Sequence, residues 1–306
     1  MRVNTVKQKL AAGEPVIGTW LGLGDVTSAR LMARAGWDYV CLDVEHTAVD
    51  WEKAAIIFGL VAEAGCVPLC RPPDGTMENI KRALDAGAWG IVAPMVDTVE
   101  QARAIVDSCY YPPFGRRSVG GGTHYLSLGT SDAEYKERAN EAISCILMTE
   151  SPQGVENAPA IYALPGVDAS ACMRARHLSR AAPCNETRTL THTHSCPPAV
   201  VVGPKDMRAQ MRRSLPDGRK PTVPEFEAAM AAVRAAGAAA KTPVGIHTFS
   251  VEECKARVAE GFRFMALSSD AGFLAAAATR AVEDLGIVRR STAPGGAAAV
   301  GGAAVY

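Results

Sequence analysis

The stretch Tyr39-Val40-Cys41-Leu42-Asp43-Val44-Glu45-His46 begins as an apolar run and then delivers two carboxylates and an imidazole. An imidazole with a carboxylate neighbour suits proton transfer near pH 7, and a strand's carboxyl end is where an α/β enzyme keeps such groups. The same design recurs along the chain. Val67-Pro68-Leu69-Cys70 ends at Arg71, Ile146-Leu147-Met148-Thr149 at Glu150, and Val200-Val201-Val202-Gly203 at Pro204-Lys205-Asp206. Ionisable groups at the carboxyl ends of successive strands predict a (β/α)8 barrel, the TIM-barrel class of α/β fold, with its site on the top face.

The elements needed to position these residues can be read in chain order. Residues 5–12 read as a short leading helix, Val16-Ile17-Gly18-Thr19-Trp20-Leu21 as the first strand, and residues 28–35 as the first crossover helix. Strand and helix then alternate: 39–43 and 51–64, 67–71 and 77–86, 90–94 and 99–108, with Gly36, Gly65 and Gly87 punctuating helix ends. Residues 110–132 show no period and are rich in Gly, Pro and Tyr, which predicts a functional loop near the site. A helix over 133–140, the fifth strand at 144–149 and a helix over 153–164 come next. Gly166-Val167-Asp168-Ala169 starts like a sixth strand, but residues 170–199 lose all apolar period and read as an irregular insertion before Val200-Val201-Val202 resumes. A helix over 225–240, a strand at 244–247, a helix over 251–259, a strand at 264–267 and a helix over 272–285 complete eight units. The division is therefore a barrel over 1–290, carrying the insertion, and a disordered Gly/Ala tail over 291–306.

Composition narrows the class. At 306 residues and 48% hydrophobic content the chain can bury one large core, close to the roughly 250 residues of a single barrel. Lys plus Arg equals Asp plus Glu, 32 each, and no basic run interleaves with aromatics, which argues against nucleic acid and anionic membrane as partners. The nine Cys follow no small-scaffold spacing, and neither a signal core nor a membrane-length apolar span is present, so a reduced, cytoplasmic protein is expected. In the insertion Cys172, Cys184, Cys196, His177, His192 and His194 are soft ligands whose spacings do not match a paired zinc knuckle.

With Gly18-Thr19-Trp20-Leu21-Gly22, Leu42-Asp43-Val44-Glu45-His46, Arg71-Pro72, Tyr111-Pro112-Pro113-Phe114-Gly115-Arg116-Arg117, Glu150-Ser151, Gly166-Val167-Asp168 and Gly203-Pro204-Lys205-Asp206 in this order, the sequence resembles the HpcH/HpaI aldolase family. The likeness covers about residues 6 to 169 and 200 to 286. It implies a metal-dependent class II aldolase that cleaves a 4-hydroxy-2-oxo acid to pyruvate and an aldehyde. Carried over by position, Glu150 and Asp206 are expected to ligate a divalent ion, Mg2+ or Mn2+. Arg71 is expected to stabilise the enolate oxygen, His46 to act as acid/base with Asp43 orienting its ring, and Glu45 to stand beside the site. Trp20, Gly203 and Pro204 are expected to wall the pyruvate pocket. The resemblance also implies a homo-oligomer, often hexameric, whose last helix packs across to a neighbour.

Blander readings exist for each residue alone. His46 can be a structural hydrogen-bonding residue, Arg71 a salt-bridge partner, Glu150 and Asp206 helix caps, and Trp20 plain core. Two acids on adjacent strand ends fit a metal site better. The competing functions are a CoA-thioester lyase like the citrate-lyase β relatives, which needs a basic surface for the CoA phosphates that the sequence does not suggest, and an inactive barrel kept as a binding or scaffold protein.

Overall fold

The computed structural model describes residues 1–164, 199–215 and 217–287. The expected sixth-strand start Gly166-Val167-Asp168, the tail over 291–306 and the insertion over 170–199, apart from Ala199, lie outside them.

Eight strands stand where their apolar runs put them: β1 (Val16–Leu21), β2 (Tyr39–Asp43), β3 (Val67–Arg71), β4 (Gly90–Ala93), β5 (Ser144–Thr149), β6 (Val200–Val202), β7 (Val244–Thr248) and β8 (Phe264–Ser269). They pair in parallel and in chain order, and β8 returns to β1, so the sheet closes into a TIM barrel. Helix α1 (Thr5–Ala11) leads in, and α2 (Val26–Ala33), α3 (Trp51–Glu63) and α4 (Met77–Asp85) follow the first three strands. Between β4 and β5 come α5 (Val99–Cys109), α6 (His124–Ser127) and α7 (Asp132–Ala142), and α8 (Pro152–Tyr162) follows β5. After β6 stand α9 (Pro204–Ser214) and α10 (Val223–Ala240), then α11 (Val251–Ala259) and α12 (Asp270–Asp284).

Three helices begin two residues before their apolar period suggests, and the cap explains each; for α12, Ser269 accepts from the Gly272 N–H and starts the helix at Asp270. Asp25 accepts from the Ser28 N–H and starts α2 at Val26. Thr222 and Glu225 form a capping box that starts α10 at Val223, with a proline in the first turn.

Alternation along each strand splits the core in two. Val16, Trp20, Tyr39, Cys41, Leu69, Val92, Ile146, Met148, Val201 and Phe264 fill the barrel. Leu42, Cys70, Ile91, Leu147, Val202 and Ile246 face the helices instead. Continuing the inward parity to the carboxyl ends brings Asp43, Arg71, Glu150, Gly203 and His247 to one mouth.

The opposite mouth is sealed. Asn4 caps α1 and donates through Nδ2 to the carbonyls of Trp89 and Ala142 and to Ser144 Oγ. Here lies the segment between α5 and α7, which corrects its expected place beside the site. Trp89, just before β4, donates its indole N–H to Ser127 in α6, and Arg117 pairs with Asp85 at the end of α4 at 2.8 Å. Helix α5 runs from the carboxyl end of β4 back toward the amino end of β5, so the chain leaving it must pass across the amino ends.

Candidate active site

Arg71, the last residue of β3, is the fixed centre of the mouth. Its Nε donates to Asp43 Oδ1 at 2.9 Å and a terminal nitrogen to Oδ2 at 2.6 Å, a fork on a carboxylate from the adjacent strand. Nε also lies 3.2 Å from Glu45 Oε2, and the guanidinium stacks 4.6 Å over the Trp20 ring. Burial works against the charge, but the bond and charge of Asp43 outweigh it and hold the guanidinium above its ordinary pKa. The other terminal nitrogen makes no hydrogen bond among the described residues.

Asp43 does not orient the His46 ring, contrary to expectation. Its Oδ1 accepts from the backbone N–H groups of Glu45 and His46, so it shapes the turn and clamps Arg71. The ring's carboxylate neighbour is Glu45, whose Oε2 lies 3.6 Å from His46 Nε2. Glu45 therefore links guanidinium and imidazole. Its own carboxyl is raised by burial, with Arg71 and His46 pulling the other way. The His46 side chain itself is 64% exposed at the rim, open to a ligand arriving from solvent.

Glu150 follows β5 and is buried. Helix capping does not account for it, because Ser151 is the cap of α8. Its Oε2 accepts from the Met95 N–H at 3.0 Å, and Met95 holds that N–H in place from the left-handed region, φ 53°. Its Oε1 faces the Cα of Gly203, where a Cβ would displace the carboxylate. Gly203 is also the cap residue of α9, Pro204 is buried at the first helical position, and Asp206 stands in the first turn. Burial pushes the Glu150 carboxyl up to about 7. The Met95 N–H opposes that rise, the charge of Asp206 adds to it, and Arg71 subtracts. Neither Glu150 nor Asp206 has an ion pair among the described residues. A buried carboxylate with one hydrogen bond and no ion pair, feeling the charge of a second acid, suits a hard divalent ion as an oxygen donor. No group of three or more His, Cys, Asp and Glu side chains that could hold a metal ion comes together among the described residues.

One residue at this mouth escapes a reading of strand ends by charge. His247 on β7 has its ring centroid 6.1 Å from that of Trp20 and 4.7 Å from that of Phe249. Its signal is the alternation of Val244 and Ile246 outward with Gly245 and His247 inward. The mouth also borders a basic cleft of about 850 Å3, lined by Lys205, Arg208, Arg212, Arg213 and Lys220, with Asp217 among them. This corrects the expectation that no basic surface forms: Lys205, Arg208 and Arg212 recur at one-helix-face spacing on α9.

A closed barrel with acids, a guanidinium and imidazoles gathered at the carboxyl ends of its strands is of the α/β-barrel enzyme class. The family described as HpcH/HpaI aldolase/citrate lyase matches residues 16–181. The chain is 33% identical over 274 residues to a hydroxypyruvate/pyruvate aldolase of Pseudomonas aeruginosa, covering 89% of each. To the protein of that name from Deinococcus radiodurans it is 41% identical over 165 residues, 54% of this chain and 60% of that one. The crystal structure of an HpcH/HpaI aldolase/citrate lyase family protein from Burkholderia cenocepacia superposes with a TM-score of 0.75 at 30% identity, covering 92% of this chain and 99% of the other. The chain belongs to the HpcH/HpaI aldolase/citrate lyase family, an enzyme family of carbon–carbon lyases.

Proposed function

We propose that this chain is a metal-dependent class II aldolase that cleaves a 4-hydroxy-2-oxo acid to pyruvate and an aldehyde. The observation that carries this reading is the Glu150 carboxylate, buried with one hydrogen bond, without an ion pair among the described residues, and feeling the charge of Asp206. Glu150 and Asp206 would hold Mg2+ or Mn2+, and the ion would supply Lewis-acid polarisation of the 2-oxo group.

The chain's own residues supply the rest. Arg71, immobilised by Asp43 and Trp20, directs its remaining terminal nitrogen to the oxyanion that develops at C2 as the C3–C4 bond breaks. His46 takes the proton of the 4-hydroxyl and returns it to C3, with the Glu45 carboxylate beside the ring. Trp20 and the backbone of Gly203 and Pro204 wall the side that receives pyruvate. A reducing, cytoplasmic compartment is supported by six described cysteines that are all buried and free. No helix among the described residues is long and apolar enough to cross a membrane. A homo-oligomer, often hexameric as the resemblance implies, is supported by α12, which buries only Asp270 of its fifteen residues although it is rich in Ala and carries Phe273 and Leu274.

Proton NMR of pyruvate in deuterated solvent tests the reading. Methyl exchange is expected with Mg2+ or Mn2+ and is expected to stop on chelation. Exchange that persists without metal, or in the His46→Ala/Arg71→Ala double variant, overturns the mechanism. The basic cleft beside Asp206 favours one competing reading, a lyase acting on a CoA thioester whose phosphates would meet those cations. Cleavage of a hydroxyacyl-CoA without pyruvate exchange would decide for it, and neither activity would leave a binding protein.

A further inference from the structure

Helix α9 carries four cations in its eleven residues, Lys205, Arg208, Arg212 and Arg213, against one acid, Asp206. Arg212 and Arg213 in the last turn complement the helix dipole, but Lys205 in the first turn opposes it, and Arg208 and Arg212, four residues apart, repel one another. Helix stability therefore does not explain the set, and neither does ion pairing. Close by in sequence, Arg219 is taken by Glu225 at 2.7 Å, and Glu227 by Arg257 at 2.6 Å. Lys205, Arg208, Arg212, Arg213 and Lys220 form no ion pair among the described residues, and all five line the one cleft of about 850 Å3, against a single acid, Asp217.

Three of these cations are held in place by the protein itself. The Arg208 guanidinium lies 3.9 Å over the Phe226 ring, Arg212 Nε donates to the Gly218 carbonyl at 2.6 Å, and the Lys205 ammonium stands 5.3 Å from the centre of the Phe249 ring. The Arg212 bond leaves both terminal nitrogens of that fork unused among the described residues. Phe249 in turn has its ring centroid 4.7 Å from that of His247, and Lys205 directly precedes Asp206, so the cleft adjoins the groups of the mouth. A carboxylate would bring such a cleft two oxygens and one charge. A phosphate monoester brings three oxygens and close to two charges near neutral pH, and guanidinium forks match it in pairs. We infer that the cleft is a phosphoryl-binding subsite, taking the phosphate of a small phosphorylated molecule between the α9 arginines and Lys220. That phosphate has two sources, the far end of the aldehyde partner or a separate molecule bound beside the mouth. The first source rests on the aldolase reading, and the second does not.

The metal-loaded full chain is compared with Arg208→Gln/Arg212→Gln and with a control of equal charge loss at two exposed positions of α2, Arg30→Gln/Arg34→Gln. Aldol addition of pyruvate to glyceraldehyde 3-phosphate and to glyceraldehyde is followed by product analysis, and binding of glycerol 3-phosphate by calorimetry. If the aldehyde carries the phosphate, wild type and the α2 control are expected to favour the phosphorylated aldehyde about ten- to a hundredfold in kcat/KM, through KM, and the α9 variant to lose most of that preference. If a separate molecule carries it, the two aldehydes are expected to react alike, and glycerol 3-phosphate to bind the α9 variant about tenfold or more weakly than wild type and the α2 control. No preference together with no binding, an effect shared equally by both variants, or an equal preference for succinic semialdehyde, whose charge is a carboxylate, overturns the inference. Methyl exchange of pyruvate that continues through such a failure leaves the aldolase reading intact. Loss of both exchange and aldol product in wild type, with glycerol 3-phosphate still bound through the α9 arginines, overturns the aldolase reading and leaves the subsite.

Discussion

Arg71 shows how one side chain joins the elements of the site. Its fork on Asp43 uses two donors, the Trp20 face excludes water beneath it, and one nitrogen is left for substrate. Lysine keeps the charge but not the fork, so Arg71→Lys is expected to slow metal-dependent exchange of pyruvate protons by about a hundredfold or more. Gly203→Ala tests the Glu150 neighbourhood differently. Its new methyl meets the carboxylate rather than backbone, so calorimetric affinity for Mn2+ is expected to fall more than the unfolding midpoint does. His247 sets an acid limit on stability. Its folded pKa of about 4 lies below the ordinary 6.5. As pH falls through 6.5 the unfolded chain takes up a proton that the folded chain refuses until about 4, and stability is lost across that window. The loss is on the order of 3 kcal/mol, and urea denaturation of His247→Leu is expected to show a flatter acid limb than wild type. Asp43, Arg71 and Glu150 were legible because each ends an apolar run. The partner of His46 was not: Asp43 is three residues away in sequence, yet its carboxylate turns to backbone N–H groups and to another strand.

Strands carried the clearest information among the elements, since each apolar run is bounded by Gly, Pro or a charge and pairs with its sequence neighbours. Helix starts were less legible because caps, not apolar period, set them, as Asp25 and Thr222 show. The segment between α5 and α7 was placed at the wrong end because its length and composition mark a loop but say nothing of which mouth it closes. Chain direction does, and it can be read from the sequence alone. Close packing of strands yields the prediction that belongs here. At Gly245 a Cβ would run into the Phe264 carbonyl of β8, a backbone atom with no rotamer to change. Gly245→Ala is expected to cost about 3 kcal/mol or more in chemical denaturation, or to prevent folding. At Gly18 the obstacle is the Tyr39 ring, which stacks on Phe264 at 4.6 Å and has little room to yield, so a similar but smaller loss is expected there.

At the scale of the whole molecule, α12 leaves an apolar helix uncovered. Leu274 is 63% exposed and Leu285, just beyond the helix, 73%. Sedimentation is expected to show a species larger than one chain, and Leu274→Glu with Leu285→Glu to shift it toward the single chain. A wild-type protein that sediments as one chain would remove this reading of the last helix. What the sequence by itself determined is the barrel, the order of its strands and the set of ionisable residues at their ends, because alternation and apolar run length are local and survive without knowledge of any partner. The tertiary structure decided the pairings: Asp43 with Arg71, Glu150 with Met95 and Gly203, His46 with Glu45, Trp20 with His247. Those depend on strands far apart in sequence being brought together at one mouth, where burial and neighbouring charge set what each group can do.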